Sequence, residues 1–246
     1  MAERPVLSYR RFEPGPSGDG RVTVLLHGFC SDGDADWVRP GTAAALAAAG
    51  HTVIVPDLRG HGASPAPAAA SAAHADALAR DVLAVLDQAG AREFDIVGYS
   101  LGARLAWEVV RQAPERAGRA VLGGLSPAEP FTAVDVAALH RAVRSGEQPA
   151  DPLTGMIAGM VAGAGERAAG LALVVEGLRE TPFDPATWAG RTPPVLIAGR
   201  DDMMVKGIER IVESTAGAQL VTVPGGHIEA LTGADFREAV VKVLQR

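Results

Sequence analysis

The stretch Phe94-Asp95-Ile96-Val97-Gly98-Tyr99-Ser100-Leu101-Gly102-Ala103-Arg104-Leu105 decides the fold. It passes from a short apolar run (Phe94–Gly98) through a glycine-flanked serine into a segment with helical spacing (Leu101–Gln112). Such a run marks a strand buried on both faces, as in a parallel sheet, with a helix leaving at once from its carboxyl end. The serine stands in G-x-S-x-G, from Gly98 to Gly102. In a chain with 29 glycines the bare pattern says little; its place between strand and helix gives it weight. A serine on so tight a turn needs neighbours without Cβ atoms, so that adjacent backbone can approach and the side chain can project. The helix start then aims N–H groups and a positive dipole end at the place where an oxyanion would develop.

Outward from this elbow the same alternation repeats. Strands are expected at Val6–Glu13, Arg21–His27, Thr52–Asp57, Arg119–Leu125, Pro194–Gly199 and Gln219–Val223, with a turn at Pro14–Gly20. Helices are expected at 40–49, 72–89, Lys206–Thr215 and Ala234–Leu244. Strand–helix repetition predicts an α/β fold with a mostly parallel central sheet flanked by helices. Between Ser126 and Pro193 the alternation stops, and only helical patterns appear, near 131–145, 152–163 and 167–180. A structureless loop of that length does not fit a compact domain. The division expected is a core of residues 1–125 and 194–246, with a helical lid inserted at 126–193. Within the lid, Gly155, Gly159 and Gly163 form a GxxxG series that predicts a closely packed or mobile helix. Met156 and Met160 on that helix are candidates to line a pocket.

Composition narrows the function classes. The 246 residues are 48% hydrophobic and 21% charged, which excludes a wholly disordered chain. The net charge is −6 with no basic run, so nucleic acid is not an expected partner. Cys30 is the single cysteine, so a disulfide-stapled scaffold is excluded. Met1–Pro5 is charged with no apolar run after it, and no stretch reaches the roughly 18 apolar residues of a spanning helix. A cytoplasmic protein with a small-molecule substrate and no membrane partner is expected. The sequence leaves the oligomeric state open.

Serine is a weak nucleophile at neutral pH and needs an oriented base. Of the six histidines, His227 follows the last strand and a Pro224-Gly225-Gly226 turn, where a loop carries a side chain over the sheet edge. His74 and His140 fall in helical, exposed patterns, and His61 in a glycine turn. The acid should follow another strand, between serine and histidine in chain order. Gly199-Arg200-Asp201-Asp202 offers two candidates, and pattern alone does not choose between them.

These motifs together resemble the α/β-hydrolase superfamily. The matches are Leu25-Leu26-His27-Gly28-Phe29, Pro56-Asp57-Leu58-Arg59-Gly60-His61-Gly62-Ala63-Ser64, the Gly98–Gly102 elbow, Gly199-x-x-Asp202 and Gly225-Gly226-His227, in the family's order. The resemblance implies a Ser100–His227–Asp202 triad, with Asp202 preferred because the family's acid lies three residues after the glycine. It implies an oxyanion hole from the backbone N–H groups of Phe29 and Leu101, with no cofactor and no metal. Cys30, Tyr99 and Arg104 join Met156 and Met160 as pocket candidates. His61 is implied to be structural. Serine at the elbow speaks against the haloalkane dehalogenase and epoxide hydrolase branches, whose chemistry needs a carboxylate nucleophile. The expected activity is hydrolysis of a small carboxylic ester through an acyl-enzyme. Tyr99–Arg104 with Phe29 is also similar to the menaquinone-pathway succinyl-hydroxycyclohexadiene-carboxylate synthases, lyases that hold substrate carboxylates with arginines. Carbon–carbon bond or lactone hydrolysis, perhydrolase chemistry and non-catalytic ligand binding use the same scaffold.

Overall fold

The computed structural model describes residues 7–15, 20–185 and 187–245. Met1–Pro5, the first residue of the expected Val6–Glu13 strand, and positions 16–19 of the expected Pro14–Gly20 turn lie outside them. Seven strands form one sheet: β1 (Tyr9–Phe12), β2 (Val22–Leu26), β3 (Thr52–Pro56), β4 (Phe94–Tyr99), β5 (Ala117–Gly123), β6 (Val195–Gly199) and β7 (Gln219–Val223). Their order is β1-β3-β2-β4-β5-β6-β7, and only the edge strand β1 runs antiparallel. The chain is an α/β-hydrolase fold.

The apolar runs explain why both faces are covered. Along β2, Val24 and Leu26 pack into one core while Leu25 packs into the other. Ile54 and Ile96 point to the first core, and Val53, Val55 and Val97 to the second. The first core is closed by α2 (Ala75–Gln88) and α3 (Leu101–Gln112), the second by α1 (Thr42–Ala48) and α9 (Ala234–Leu244). On α3, Leu101, Leu105 and Val109 are buried at i, i+4 and i+8, each contributing about 1.5–3 kcal/mol by leaving water.

The site is placed by the order in which strands are added. The chain moves from β2 outward to β3 and then returns to set β4 on the other side of β2. Loops leaving the carboxyl ends of β2 and β4 therefore diverge, which opens a crevice at this switch point. Leu26 stands opposite Gly98 in the register, so Phe29 and Ser100 follow neighbouring strand ends.

Among the described residues three α-helices lie between β5 and β6, namely α4 (Val136–Ser145), α5 (Pro152–Ala162) and α6 (Ala168–Glu180), with a 3-10 turn at Gly165–Arg167. Asp135 and Asp151 cap the first two by accepting hydrogen bonds from first-turn backbone N–H groups, and Pro152 occupies the first turn of α5. Of the two alternatives expected for the glycine series, close packing is not what α5 shows at Gly155 and Gly159. A Cβ at Gly159 would meet nothing within 4 Å, and one at Gly155 only the Pro149 carbonyl at 3.9 Å, so neither serves close packing. The expected helix at Lys206–Thr215 is shortened to α7 (Glu209–Ser214), because Gly207 turns the chain at φ +89°. The 72–89 helix likewise starts at Ala75, after a 3-10 turn at Ala70–Ala73.

Candidate active site

Ser100 sits at the top of β4 with φ +53° and ψ −115°, a conformation L-residues avoid at a cost of roughly 1–3 kcal/mol. The elbow glycines make it possible. A Cβ at Gly98 would stand 2.2 Å from the Gly102 carbonyl oxygen, and one at Gly102 would stand 1.9 Å from that of Leu26. No rearrangement of side chains relieves a backbone clash of that size. Leu101 opens α3, and the first N–H groups of a helix have no intrahelical acceptor.

The β2 loop is shaped by two buried groups. Asp36 accepts hydrogen bonds from the Gly28 N–H at 2.8 Å and the Ser31 hydroxyl at 2.5 Å, holding the turn that contains Phe29 and Cys30. His27 donates from Nδ1 to the Gly28 carbonyl at 2.8 Å and accepts at Nε2 from the Leu58 N–H at 2.9 Å. Burial pushes its pKa down, so it bridges the two loops as a neutral ring. His61 is buried too, its Nδ1 donating to the Arg59 carbonyl at 3.0 Å, and burial pushes it down to about 3. Asp57 organises the second motif by accepting from the N–H groups of Gly33 and Ala63, and Arg59 forms a bidentate pair with Asp81. Composition and spacing gave Asp36 no signal, because its partners are the Gly28 N–H and the Ser31 hydroxyl, which only the folded turn after β2 brings to it.

His227 and Asp202, the pair the resemblance implies, lie together in the structure. The His227 Nδ1–H donates to Asp202 Oδ2 at 2.7 Å, and the Asp202 side chain is wholly buried. Asp202 Oδ1 accepts from the Met204 N–H at 2.8 Å, while Asp201 is exposed. His227 opens a short helix, α8 (His227–Thr232), where a loop was expected. Tyr99 donates its hydroxyl to the His227 carbonyl at 2.5 Å, and its ring lies edge-on to Phe236. Gly124, at φ +58°, leaves the room this needs: a Cβ there would meet the Tyr99 ring at 2.7 Å and the His227 Cε1 at 3.0 Å. His74 and His140 are half-buried rather than exposed, each bonded at 2.7 Å to a carboxylate, Glu180 and Glu176.

Ser100, His227, Phe29 and Leu101 line one cavity of about 640 Å³. Cys30, Tyr99, Arg104, Met156 and Met160 line it as well, so all the sequence candidates but Asp202, which lies behind His227, border one space. Its walls are mainly aliphatic and aromatic, with Leu125 after β5 and Phe131, Leu153 and Ile157 from the 126–193 segment. Met156, Met160, Met204 and Ile228 are exposed at its rim. Cys30 is held at φ +58°, and burial pushes its thiol up to about 12. Arg104 reaches off its own helix to Glu129. Its Nε lies 2.6 Å from Glu129 Oε2 without hydrogen-bond alignment, and Nη2 donates to the carbonyls of Leu178 and Thr181. Burial lowers the Arg104 pKa and raises that of Glu129, so desolvation opposes both charges of the pair. Among the described residues no cluster of three metal-ligating side chains occurs, and no helix is long and apolar enough to cross a membrane.

The chain belongs to the α/β hydrolase fold family, whose model matches residues 22–153. Among curated proteins it is similar to epoxide hydrolase B of Mycobacterium tuberculosis, 35% identical over 127 residues. That match covers 47% of this chain and 34% of the relative, so the chain spans about a third of that protein's length. Among solved structures it is similar to the enol-lactonase from Burkholderia xenovorans LB400, with a TM-score of 0.78 and 20% identity over 98% of this chain and 96% of that one. A thermophilic esterase from Thermogutta terrifontis gives a TM-score of 0.75 at 20% identity, covering 97% and 93% of the two chains. At these identities the structural likeness speaks for the fold.

Proposed function

We propose that the protein is a serine hydrolase that cleaves small, uncharged carboxylic esters, with residues 126–193 as its lid. The observation that carries this reading is the 2.7 Å bond from His227 Nδ1–H to the buried Asp202 carboxylate, on a histidine that shares its cavity with a strained elbow serine. That bond fixes the imidazole tautomer and leaves Nε2 as a proton acceptor. His227 takes the Ser100 proton as Oγ bonds to the acyl carbon, and the Phe29 and Leu101 N–H groups stabilise the oxyanion. The ester C–O bond then breaks, and the leaving alkoxide receives the proton from His227. Water, activated by the same imidazole, releases the acid and restores Ser100. Each oxyanion donor in such sites is worth roughly 3 kcal/mol.

The apolar cavity supports an uncharged substrate. A lyase acting on carboxylates needs a cation there, and the Arg104 guanidinium is already engaged by Glu129 and two carbonyls. The test is Ser100→Ala with p-nitrophenyl butyrate. Turnover should fall to background, and fluorophosphonate labelling of the wild-type protein should disappear. Retained turnover in the variant refutes the assignment.

A further inference from the structure

A second cavity, of about 410 Å³, adjoins the first, and among the described residues Arg104 and Phe183 line both. They are the partition between the two spaces. Arg104 is a fixed part of it, held by Glu129 and by the carbonyls of Leu178 and Thr181 at the end of α6. Phe183 is held differently. It lies on the segment after α6 between exposed Pro182 and Asp184, and its ring meets Trp107 edge-on at 5.7 Å. Behind it the second cavity offers Ala75, Trp107 and Pro182 as apolar surface, with Glu108 paired to Arg111 and Asp76 paired to Arg80.

We infer that the Phe183 ring is the end wall of the acyl site and sets the longest acyl chain the enzyme accepts. This inference rests on the esterase reading above. In the wild-type protein an acyl chain can bury methylenes only until it reaches the ring. Removing the ring joins the two cavities, and further methylenes then pass along Trp107. Each buried methylene is worth roughly a fourfold gain in binding.

The experiment measures kcat/KM for p-nitrophenyl esters from acetate to dodecanoate with wild type, Phe183→Leu and Phe183→Ala. In wild type, kcat/KM should rise with chain length and then stop. Phe183→Ala should move that stop to longer chains, gaining roughly fourfold per added methylene beyond it, and Phe183→Leu should move it the same way by less. A stop at the same length in every folded variant, whatever the common loss of rate, overturns the inference. Binding of straight-chain alcohols from hexanol to dodecanol, read as thermal shift, tests the wall without turnover. The length at which the shift stops rising must be greater in the variants. If no ester is hydrolysed and no fluorophosphonate labels Ser100, the esterase reading fails, and the alcohol series alone decides the wall.

Discussion

Replacing Asp202 by asparagine separates orientation of the base from everything else the site does. The two side chains have the same shape, and the asparagine Oδ1 can still accept from the Met204 N–H, as Asp202 does at 2.8 Å. The other terminal atom changes from acceptor to donor. It would then face His227 Nδ1 across the present 2.7 Å contact, and two N–H groups cannot point at each other there. The imidazole must shift its proton to Nε2, the nitrogen that should receive the Ser100 proton. Loss of the correct tautomer with intact geometry costs on the order of 10⁴ in kcat, or about 5 kcal/mol of transition-state stabilisation. The fold should scarcely notice, because no cavity is made. Asp201→Asn is the control: that residue is exposed and should keep wild-type activity. The assay is steady-state hydrolysis of p-nitrophenyl butyrate beside a urea unfolding curve. Wild-type kcat in a folded Asp202→Asn protein, or a large loss in Asp201→Asn, refutes this assignment of the acid.

Gly102→Ala should be far more damaging than its one added methyl suggests, since that atom would lie 1.9 Å from the Leu26 carbonyl oxygen. We expect the unfolding free energy from urea curves to fall by about 3 kcal/mol or more, together with loss of activity; a stable, active variant would contradict the elbow geometry. Cys30, with its thiol pushed up to about 12, should be present as thiolate to roughly one part in 10⁴ at pH 8. Iodoacetamide should therefore label the native protein much more slowly than the urea-unfolded chain, and equal rates would disprove the burial argument. His61 bears on acid stability. Its folded pKa of about 3 lies below its ordinary value of 6.5, so between those values the unfolded chain binds a proton that the folded chain does not. Stability is then complete above pH 6.5 and falls as pH drops towards 3, by up to about 1.4 kcal/mol per pH unit. His61→Asn, which keeps a donor for the Arg59 carbonyl, should flatten that slope; an unchanged slope would show that another group causes it.

How much of this was legible in the sequence depends on the range over which each feature is determined. The sheet was legible because apolar runs such as Thr52–Pro56 and Phe94–Tyr99 are buried on both faces, and that requirement is local to the strand. The elbow was legible for a similar reason: a Cβ at Gly98 would clash with the backbone of Gly102 in the same turn, and one at Gly102 with that of the neighbouring strand at Leu26. The placement of His227 at the start of a helix was not, since Pro224-Gly225-Gly226 reads as a turn whether or not six helical residues follow. Nor was the role of Asp36, which depends on the N–H of Gly28 eight residues earlier. The partner of Arg104 was not legible either. Glu108 is the helical neighbour, but Arg111 and Gln112 hold that carboxylate, and Arg104 reaches Glu129 on another element. Side chains that bridge elements are chosen by packing, and no local spacing records the choice.

The likeness to an epoxide hydrolase has to be weighed against where it falls. The family model matches residues 22–153, a span that holds Phe29 and Ser100 but neither Asp202 nor His227. It describes the half of the scaffold that presents a nucleophile, whatever that nucleophile is. Opening an epoxide through a covalent ester needs a carboxylate able to attack. Two carboxylates, Asp36 and Glu129, line this cavity. Asp36 is bound by the Gly28 N–H and the Ser31 hydroxyl, and Glu129 lies against Arg104 and accepts from the Phe131 N–H. Both are spent on holding loops, and the elbow itself carries a hydroxyl. On the reading proposed above, the hydroxyl takes its base from the unmatched half of the chain, where His227 contacts Asp202. Under that proposal acyl transfer is the chemistry those three groups would support together, and the choice of acyl group would rest on the walls that residues 126–193 bring to the cavity.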